Sequence, residues 1–481
     1  MQVLNHYGHK GLYIDGEFVE SSSKNIFDLK CPANEETIAT ISWAEKEDTE
    51  RALKAAEEGF KVWSKTPVQE RVDKMMALRA KLLENKDLLK EVISHEMGKT
   101  FDGADEDVVS ITNSLEFYGK EILAKEDFEI PDREGTHRHT MVHQPLGVVV
   151  AFLAYNFPLL NLGFKLGPAL AAGCSIIIKP SEISPLSALM VAEYAHEVGF
   201  PKGVITVLCG NRQNVGIPLC ESTVPRLITM IGATYTAQKL IEQSIKSSIK
   251  RYSMECGGNA PFIVFDDANI EDALAVGTGV KYGNTGQICV APNRFFVQEG
   301  IFEEYVKRFV EIAESKKLGF GRENNPDMGP LVSEKARDGV HQFVQDCLGQ
   351  GGTLLTGGEK VEGKGFYYKP TVIVMDDPKA AVLQHEVFGP VAVILKFKTT
   401  EEVIQKSNDV TAGLASYVFT EDEDKLEEVT MALEFGEVQQ NGVKYDIYLP
   451  HLGVKNSGLS MDCSKFALDD YLVQKRVSKK L

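Results

Sequence analysis

From Leu146 to Ile178 the chain is almost wholly apolar, and this stretch limits the fold more than any other. On length alone it would span a bilayer. It carries Asn156, Asn161 and Lys165, however, and Pro158, Gly167, Pro168 and Gly173 interrupt it. A buried strand–helix–strand unit of a parallel sheet accounts for these features, because strands of such sheets are apolar on both faces. A soluble chain without a membrane partner is the expectation.

The flanking sequence repeats the pattern. GVVVAFLA (147–154), CSIIIK (174–179), GVITVLCG (203–210) and RLITMIG (226–232) read as strands, with helices over 159–172, 185–198 and TYTAQKLIEQSIKS. Strand-length apolar runs alternating with helices mean crossover units and a parallel sheet. Such sheets hold ligands beyond the carboxyl ends of their strands, which here read AYN (154–156), KPSE (179–182) and IGAT (231–234).

Upstream, residues 48–66 and 67–97 have helical spacing of apolar residues. Residues 125–145 turn polar and read as an exposed hairpin or arm. A second alternation runs from PFIVFDD through a helix near 270–282, RFFVQEG and a helix at 301–315 to about residue 435. The alternating tail DDYLVQKRVSKKL is expected to pair with the arm. A chain of 481 residues is too long for one core. We assign 1–122 with 146–254 to a first domain, 255–440 to a second, and 123–145 with 441–481 to bridging and oligomerisation elements.

A net charge of −17 leaves no basic excess to neutralise phosphates, so nucleic acid is not an expected partner. The eight cysteines are scattered, without CxxC pairs or zinc spacing. Neither a disulfide framework nor a metal site is indicated, and a reducing, cytoplasmic location fits. The N-terminus MQVLNHYGHKGLYIDGEF lacks the layout of a signal peptide.

Three short segments carry the candidate chemistry. In NTGQICVAPNR (284–294) Cys289 sits among amides and glycine, where a packing cysteine would sit in an apolar run; an activated thiolate there would be a nucleophile. In SMECGGNAP, Glu255 ends a strand-like run before Gly257 and Gly258, which permit close backbone approach. Buried, Glu255 would serve as a general base; a salt-bridged surface glutamate is the alternative. No GxGxxG occurs, yet Lys179 and Glu182 of KPSE stand where they could straddle a ribose. Taken alone, that segment reads first as a turn and helix cap, Pro180 and Ser181 starting the turn, with both charges solvated.

Six segments in register give a more specific signal: YNFPLLNLGFKLGPALAAGC (155–174), KPSE (179–182), MECGGNAPFIVFDDA (254–268), GNTGQICVAPNR (283–294), MGPLV (328–332) and HEVFGPV (385–391). Over essentially its full length the chain resembles the aldehyde dehydrogenase superfamily. The resemblance implies an α/β fold with two parallel-sheet domains, a Rossmann-like NAD-binding domain and a catalytic domain, joined by a small bridging β arm. It implies that Cys289 attacks the aldehyde to give a thiohemiacetal, with Asn156 and the Cys289 N–H as oxyanion hole. Hydride passes to nicotinamide, and Glu255 activates the water that hydrolyses the resulting thioester. Lys179 and Glu182 would hold the adenosine ribose, Glu386 the nicotinamide ribose, with Phe388, Tyr155, Gly232 and Ala233 also at the cofactor. Glu182 would repel a 2′-phosphate, so NAD is expected to be preferred, with NADP possible. The arm and tail resemble the family's subunit-exchange elements, implying a homodimer or homotetramer.

Several positions depart from the family pattern. MIGATYTA (230–237) carries Ala233 for a serine and Ala237 for a glycine, and Tyr155 stands where tryptophan is usual. Parts of the chain look most like succinate-semialdehyde dehydrogenases, but their carboxylate-gripping arginines are matched by Phe164 and Gly283. The segment from FGEVQQN to PHLGVKNSG looks more like lactaldehyde dehydrogenases, which carry a histidine at the position of His451. Phe157 and Phe164 would make the entrance aromatic, or simply pack, while His451 and Asn161 could bind a hydroxyl. The expected substrate is a small neutral or hydroxylated aldehyde, with succinate semialdehyde as the alternative. From other classes, a cofactor-independent cysteine hydrolase would need a histidine such as His385 brought near Cys289 in space. A non-catalytic relative is argued against by the joint presence of Asn156, Glu255, Cys289 and Glu386.

Overall fold

The computed structural model describes residues 7–322 and 325–481; the first six residues of the N-terminal segment quoted above lie outside the described residues. Two large sheets organise the chain. In the first, five parallel strands run in the order Arg251–Cys256, Pro225–Gly232, Val148–Phe152, Ser175–Lys179 and Ile205–Val207. Short antiparallel strands flank them: Gly458–Leu459 at one edge, Leu12–Ile14 and Glu17–Val19 at the other.

Val148–Phe152 is buried along its whole length, as helices on both faces of the sheet require. Its chain neighbours lead one way across the sheet and Pro225–Gly232 lies on its other side, so its carboxyl end opens at the point where strand order reverses. Ala154, Tyr155 and Asn156 follow at that opening.

The apolar run therefore folds as a strand, the helix Pro158–Ala172 and the strand Ser175–Lys179. Its lysine has a specific partner: Lys165 Nζ lies 2.6 Å from Asp462 Oδ2, both buried. Among the described residues no helix is long and apolar enough to cross a membrane.

The second sheet has seven strands in the order Thr353–Thr356, Thr371–Met375, Val391–Phe397, Pro292–Gln298, Ala260–Val264, Ala415–Phe419 and Glu437–Gln440. All neighbours are parallel except the first pair. The helices Lys46–Trp63, Val68–Glu84 and Lys86–Met97 stand where helical spacing placed them.

The polar arm forms the strands Phe128–Ile130 and His137–Pro145, and the tail strand Leu472–Lys480 pairs antiparallel along the whole of the second, from Leu472 opposite Pro145 to Lys480 opposite His137. The tail strand forms the outer edge of this three-stranded sheet.

Candidate active site

Cys289 lies between the helix Ile270–Tyr282 and the strand Pro292–Gln298, in a turn whose backbone is strained. Asn284 and Thr285 adopt φ of 44° and 60°, a region that a β-branched residue avoids and that costs of order 1–3 kcal/mol. The amides around the cysteine hold this turn. Asn284 Nδ2 donates to the carbonyls of Asn156 (2.9 Å) and Gln287 (3.2 Å). Gln287 Nε2 donates to Asn284 O, and its Oε1 accepts from Val332 N–H at 3.0 Å. Thr285 Oγ1 donates to Gly329 O. The segment reads as a polar loop in sequence, and in the structure Thr285, Gln287, Asn293 and Arg294 are buried. Their polarity satisfies the backbone of an irregular turn inside the protein, and of the eight cysteines only Cys289 is partly open.

Asn156 stands across the cleft from this turn. Its Nδ2 donates to Gln287 O at 3.0 Å, and its Oδ1 accepts from Asn161 Nδ2 at 3.2 Å. The Asn161 amide also donates to Ala154 O, so both its donors are spent within the wall. Asn161, expected to meet substrate, lines the second cavity described below and also fixes which way the Asn156 amide faces.

Glu255 ends its strand 5% exposed, which removes the surface alternative. Its partner is a histidine: His451 Nε2 lies 3.3 Å from Glu255 Oε1, and His451 Nδ1 lies 2.6 Å from Glu437 Oε1. Sulfur, imidazole nitrogen and carboxylate oxygen of Cys289, His451 and Glu255 fall within 4.8 Å of one another. The histidine that reaches the cysteine is thus His451, distant in sequence. Burial alone would lower the His451 pKa; contacts with Cys289, Glu255 and Glu437 outweigh it and raise the pKa well above the usual value. Burial, with Glu255 nearby, pushes the Cys289 thiol up to about 12, against the pull of His451.

Two glycines set the distances on the other side. A Cβ on Gly257 would fall 2.4 Å from Glu386 Oε2, and one on Gly258 would fall 2.4 Å from Cys289 O. Only bare backbone lets both groups come so close. Glu386 accepts from Gly258 N–H at 3.2 Å, and burial raises its pKa to about 8. Tyr155 and Phe388 meet edge to face, centroids 6.0 Å apart.

These residues open onto a cavity of ≈ 520 Å³ that runs from Cys289 past Glu386 and Phe388 to Gly232, Ala233, Lys179 and Glu182. Lys179 Nζ lies 3.6 Å from Glu182 Oε1, with side-chain exposures of 13% and 46%, so the lysine is not solvated. The alternative of a serine cap also fails. The helix Leu186–Glu197 has no side-chain N-cap, and the Glu96 carboxylate accepts from Leu186 and Ser187 N–H instead. Ala233 is the N-cap of the helix Thr234–Ser244. The same cavity is lined by Arg212, Tyr235 and Lys239, which the sequence reading missed; Arg212 opens a short helical turn with too few residues to show a period.

A second cavity of ≈ 720 Å³ also reaches Cys289. Phe157, Phe164 and His451 line it, with the Phe164 ring 6.4 Å from that of His451. Phe157 stacks under Lys99, whose Nζ is 3.5 Å from the ring centroid and 2.6 Å from Asp107. The two cavities share Asn156, Ile231, Glu255 and Cys289.

Residues 18–477 match the aldehyde dehydrogenase family. A mitochondrial succinate-semialdehyde dehydrogenase of Oryza sativa subsp. japonica is 37% identical over 96% of this chain and 88% of its own length. An NADP(+) succinate-semialdehyde dehydrogenase of Escherichia coli strain K12 is 33% identical over 95% of each. Betaine aldehyde dehydrogenase of Staphylococcus aureus, solved in complex with NAD+, superposes with a TM-score of 0.95 at 33% identity, covering 98% of this chain and 95% of its own.

Proposed function

Because this chain belongs to the aldehyde dehydrogenase family, an oxidoreductase family acting on aldehydes, we propose that Cys289 is its nucleophile. It performs NAD(P)-dependent oxidation of an aldehyde to the acid. The carrying observation is the meeting of two cavities at Cys289, Glu255 and Asn156. In this reading the first-sheet domain (1–122 and 146–254) holds the cofactor and residues 255–440 the nucleophile.

The first cavity fits a dinucleotide by its donor set. Lys179 offers a cation and Glu182 an acceptor for ribose hydroxyls, while bare Gly257 leaves room for Glu386 beside the cleft. NAD is the preferred acceptor because the Glu182 carboxylate opposes a 2′-phosphate; the NADP(+) relative keeps NADP in play. When bound, the nicotinamide supplies the acceptor for the electron pair that leaves the aldehyde carbon.

The chain's own residues do the rest. Glu255 takes the thiol proton and Cys289 Sγ bonds to the carbonyl carbon. The oxygen, now an alkoxide, is held by Asn156 Nδ2 and the Cys289 N–H, two donors worth about 3–4 kcal/mol of barrier for each one removed. Once Glu255 has released the thiol proton to solvent, it takes a proton from water, whose oxygen bonds to the acyl carbon of the thioester and displaces Cys289 as the thiolate.

The substrate is a small neutral or hydroxylated aldehyde. Both lysines lining the second cavity already have carboxylates: Lys99 pairs with Asp107, and Lys444 Nζ lies 3.5 Å from Asp446. No arginine lines it among the described residues, so a distal carboxylate would find no unpaired cation. Identity to the rice enzyme favours succinate semialdehyde as the second reading. Reduction of NAD and NADP with succinate semialdehyde, lactaldehyde, glycolaldehyde and aliphatic aldehydes, in wild type and Cys289→Ala, tests both. A kcat/KM highest for succinate semialdehyde overturns the first, and turnover surviving in Cys289→Ala overturns the nucleophile.

Eight free thiols fit a cytoplasmic location. The edge strand Leu472–Lys480, with Val477 exposed on it and Phe128 and Ile130 exposed on the opposite edge strand of the same sheet, fits a homodimer or homotetramer. A monomer by light scattering at micromolar concentration rejects that assembly.

A further inference from the structure

We propose that Cys289, His451 and Glu255 also bind one borderline-soft divalent cation of the zinc type, which switches the enzyme off reversibly. The inference rests on the reading of Cys289 and Glu255 as nucleophile and base only for its effect on turnover; binding stands on the geometry.

The donor set comes first. One thiol sulfur, one imidazole nitrogen and one carboxylate oxygen lie within 4.8 Å of one another in a cleft. Thiolate and imidazole select zinc-like ions over magnesium and calcium, which take oxygen ligands. Three protein ligands with an open fourth position is the pattern of accessible zinc sites. Bonds of ~2.0–2.3 Å set donor separations of roughly 3.5 Å. The His451–Glu255 edge, at 3.3 Å, already has that length, and rotation of the Cys289 side chain closes the others.

The imidazole is also aimed. Glu437 receives the Nδ1 hydrogen at 2.6 Å, which turns Nε2 toward Glu255 and Cys289. A carboxylate behind a histidine ligand fixes ring orientation and strengthens the metal bond.

Charge gives an independent reason. Glu255 and Glu437 have His451 as their ion-pair partner and no lysine or arginine, among the described residues. Two buried carboxylates share one imidazole, and a dication answers the surplus. On binding, the Cys289 S–H and His451 Nε2–H bonds break, the sulfur–metal and nitrogen–metal bonds form, and both protons leave to water. Nucleophile and base are then both occupied, so inhibition competes with aldehyde.

The test uses the full-length, metal-free protein without aldehyde. Zn²⁺ titrated by calorimetry should give one site per chain, and Co²⁺ should show a near-ultraviolet thiolate-to-cobalt charge-transfer band. His451→Asn should weaken zinc binding at least ~100-fold, and Glu437→Gln ~10–100-fold. Cys289→Ser should abolish the band, with circular dichroism confirming that each variant is folded. A chelator should restore turnover of the zinc-treated enzyme. Absence of the band, or zinc affinity unchanged in folded His451→Asn, overturns the site. Intact binding with no loss of turnover overturns the switch. An enzyme silent toward every aldehyde would sink the proposed function, while the band and the stoichiometry would still decide the site.

Discussion

His451 Nε2 lies 3.3 Å from Glu255 Oε1, although 196 residues separate them in the chain. The ring is held from behind by Glu437 and borders the second cavity beside Phe164. Its placement bears directly on substrate choice. A hydroxyl on the aldehyde would share the Nε2 contact now made with Glu255, a bond that a deoxy analogue cannot form. In His451→Ala, kcat/KM for lactaldehyde should fall about tenfold or more relative to propanal. Equal losses for both aldehydes would remove His451 from hydroxyl recognition.

Asn161 acts one step back from the reacting atoms. Its hydrogen bond to Asn156 Oδ1 presents the Asn156 Nδ2 to the cleft. Asn161→Ala should lower kcat by roughly tenfold with little change in KM, because the lost interaction matters most when the alkoxide forms. Asn156→Ala should cost ~10²–10³ in kcat. Steady-state kinetics with one good aldehyde measures both. A rise in KM alone in Asn161→Ala would return that residue to substrate binding.

The buried pair Lys165–Asp462 ties the helix Pro158–Ala172 to the C-terminal segment. Lys165→Met leaves Asp462 uncompensated and should cost ~3–5 kcal/mol, whereas replacing both by apolar residues of similar size should recover most of it. Denaturant unfolding of the single and double variants checks this. Equal destabilisation in both would mean that packing, not charge, dominates there.

Lys281 gives a pH dependence. It is fully buried, donates to Asn293 Oδ1 at 3.2 Å and has no carboxylate within ion-pair distance among the described residues. Burial lowers its pKa from 10.5 to about 7, with Glu386 pulling the other way. Between those values the unfolded chain binds a proton that the folded chain does not, so this group's contribution to stability rises with pH from about 7 to 10.5. Lys281→Met should therefore be more stable than wild type by a few kcal/mol at pH 7. The advantage should shrink as pH approaches 10. Thermal midpoints measured across that range decide it, and a constant difference would contradict the linkage.

The fold was legible where burial is symmetrical. Strands such as Val148–Phe152 are covered on both faces, so each announces itself as an unbroken apolar run. The arm and tail were legible from their polar, alternating composition, and they pair as expected, although the tail strand is exposed on both faces from Gln474 to Lys480. Cys289, Glu255 and Asn156 could be singled out because each interrupts its local pattern. Glu437 could not. It opens a half-buried strand of ordinary composition, and its role exists only once His451 folds back against it. Thr285 was equally silent, since nothing in its identity signals a φ of 60°. That strain is imposed by Asn284, Gln287 and Gly329, which come from two separate segments. Arg212 lay in a turn too short to carry a period.

The two cavities share four residues around Cys289 and are otherwise lined by different side chains. Traffic through them is therefore separate. On the reading proposed above, a spent dinucleotide would depart by its own cavity while the acyl group is still fastened to sulfur, and an inhibitor lodged in one cavity would leave the other passable. The chain is built like a workbench reached from two rooms, where what enters by one door need not wait for the other to clear.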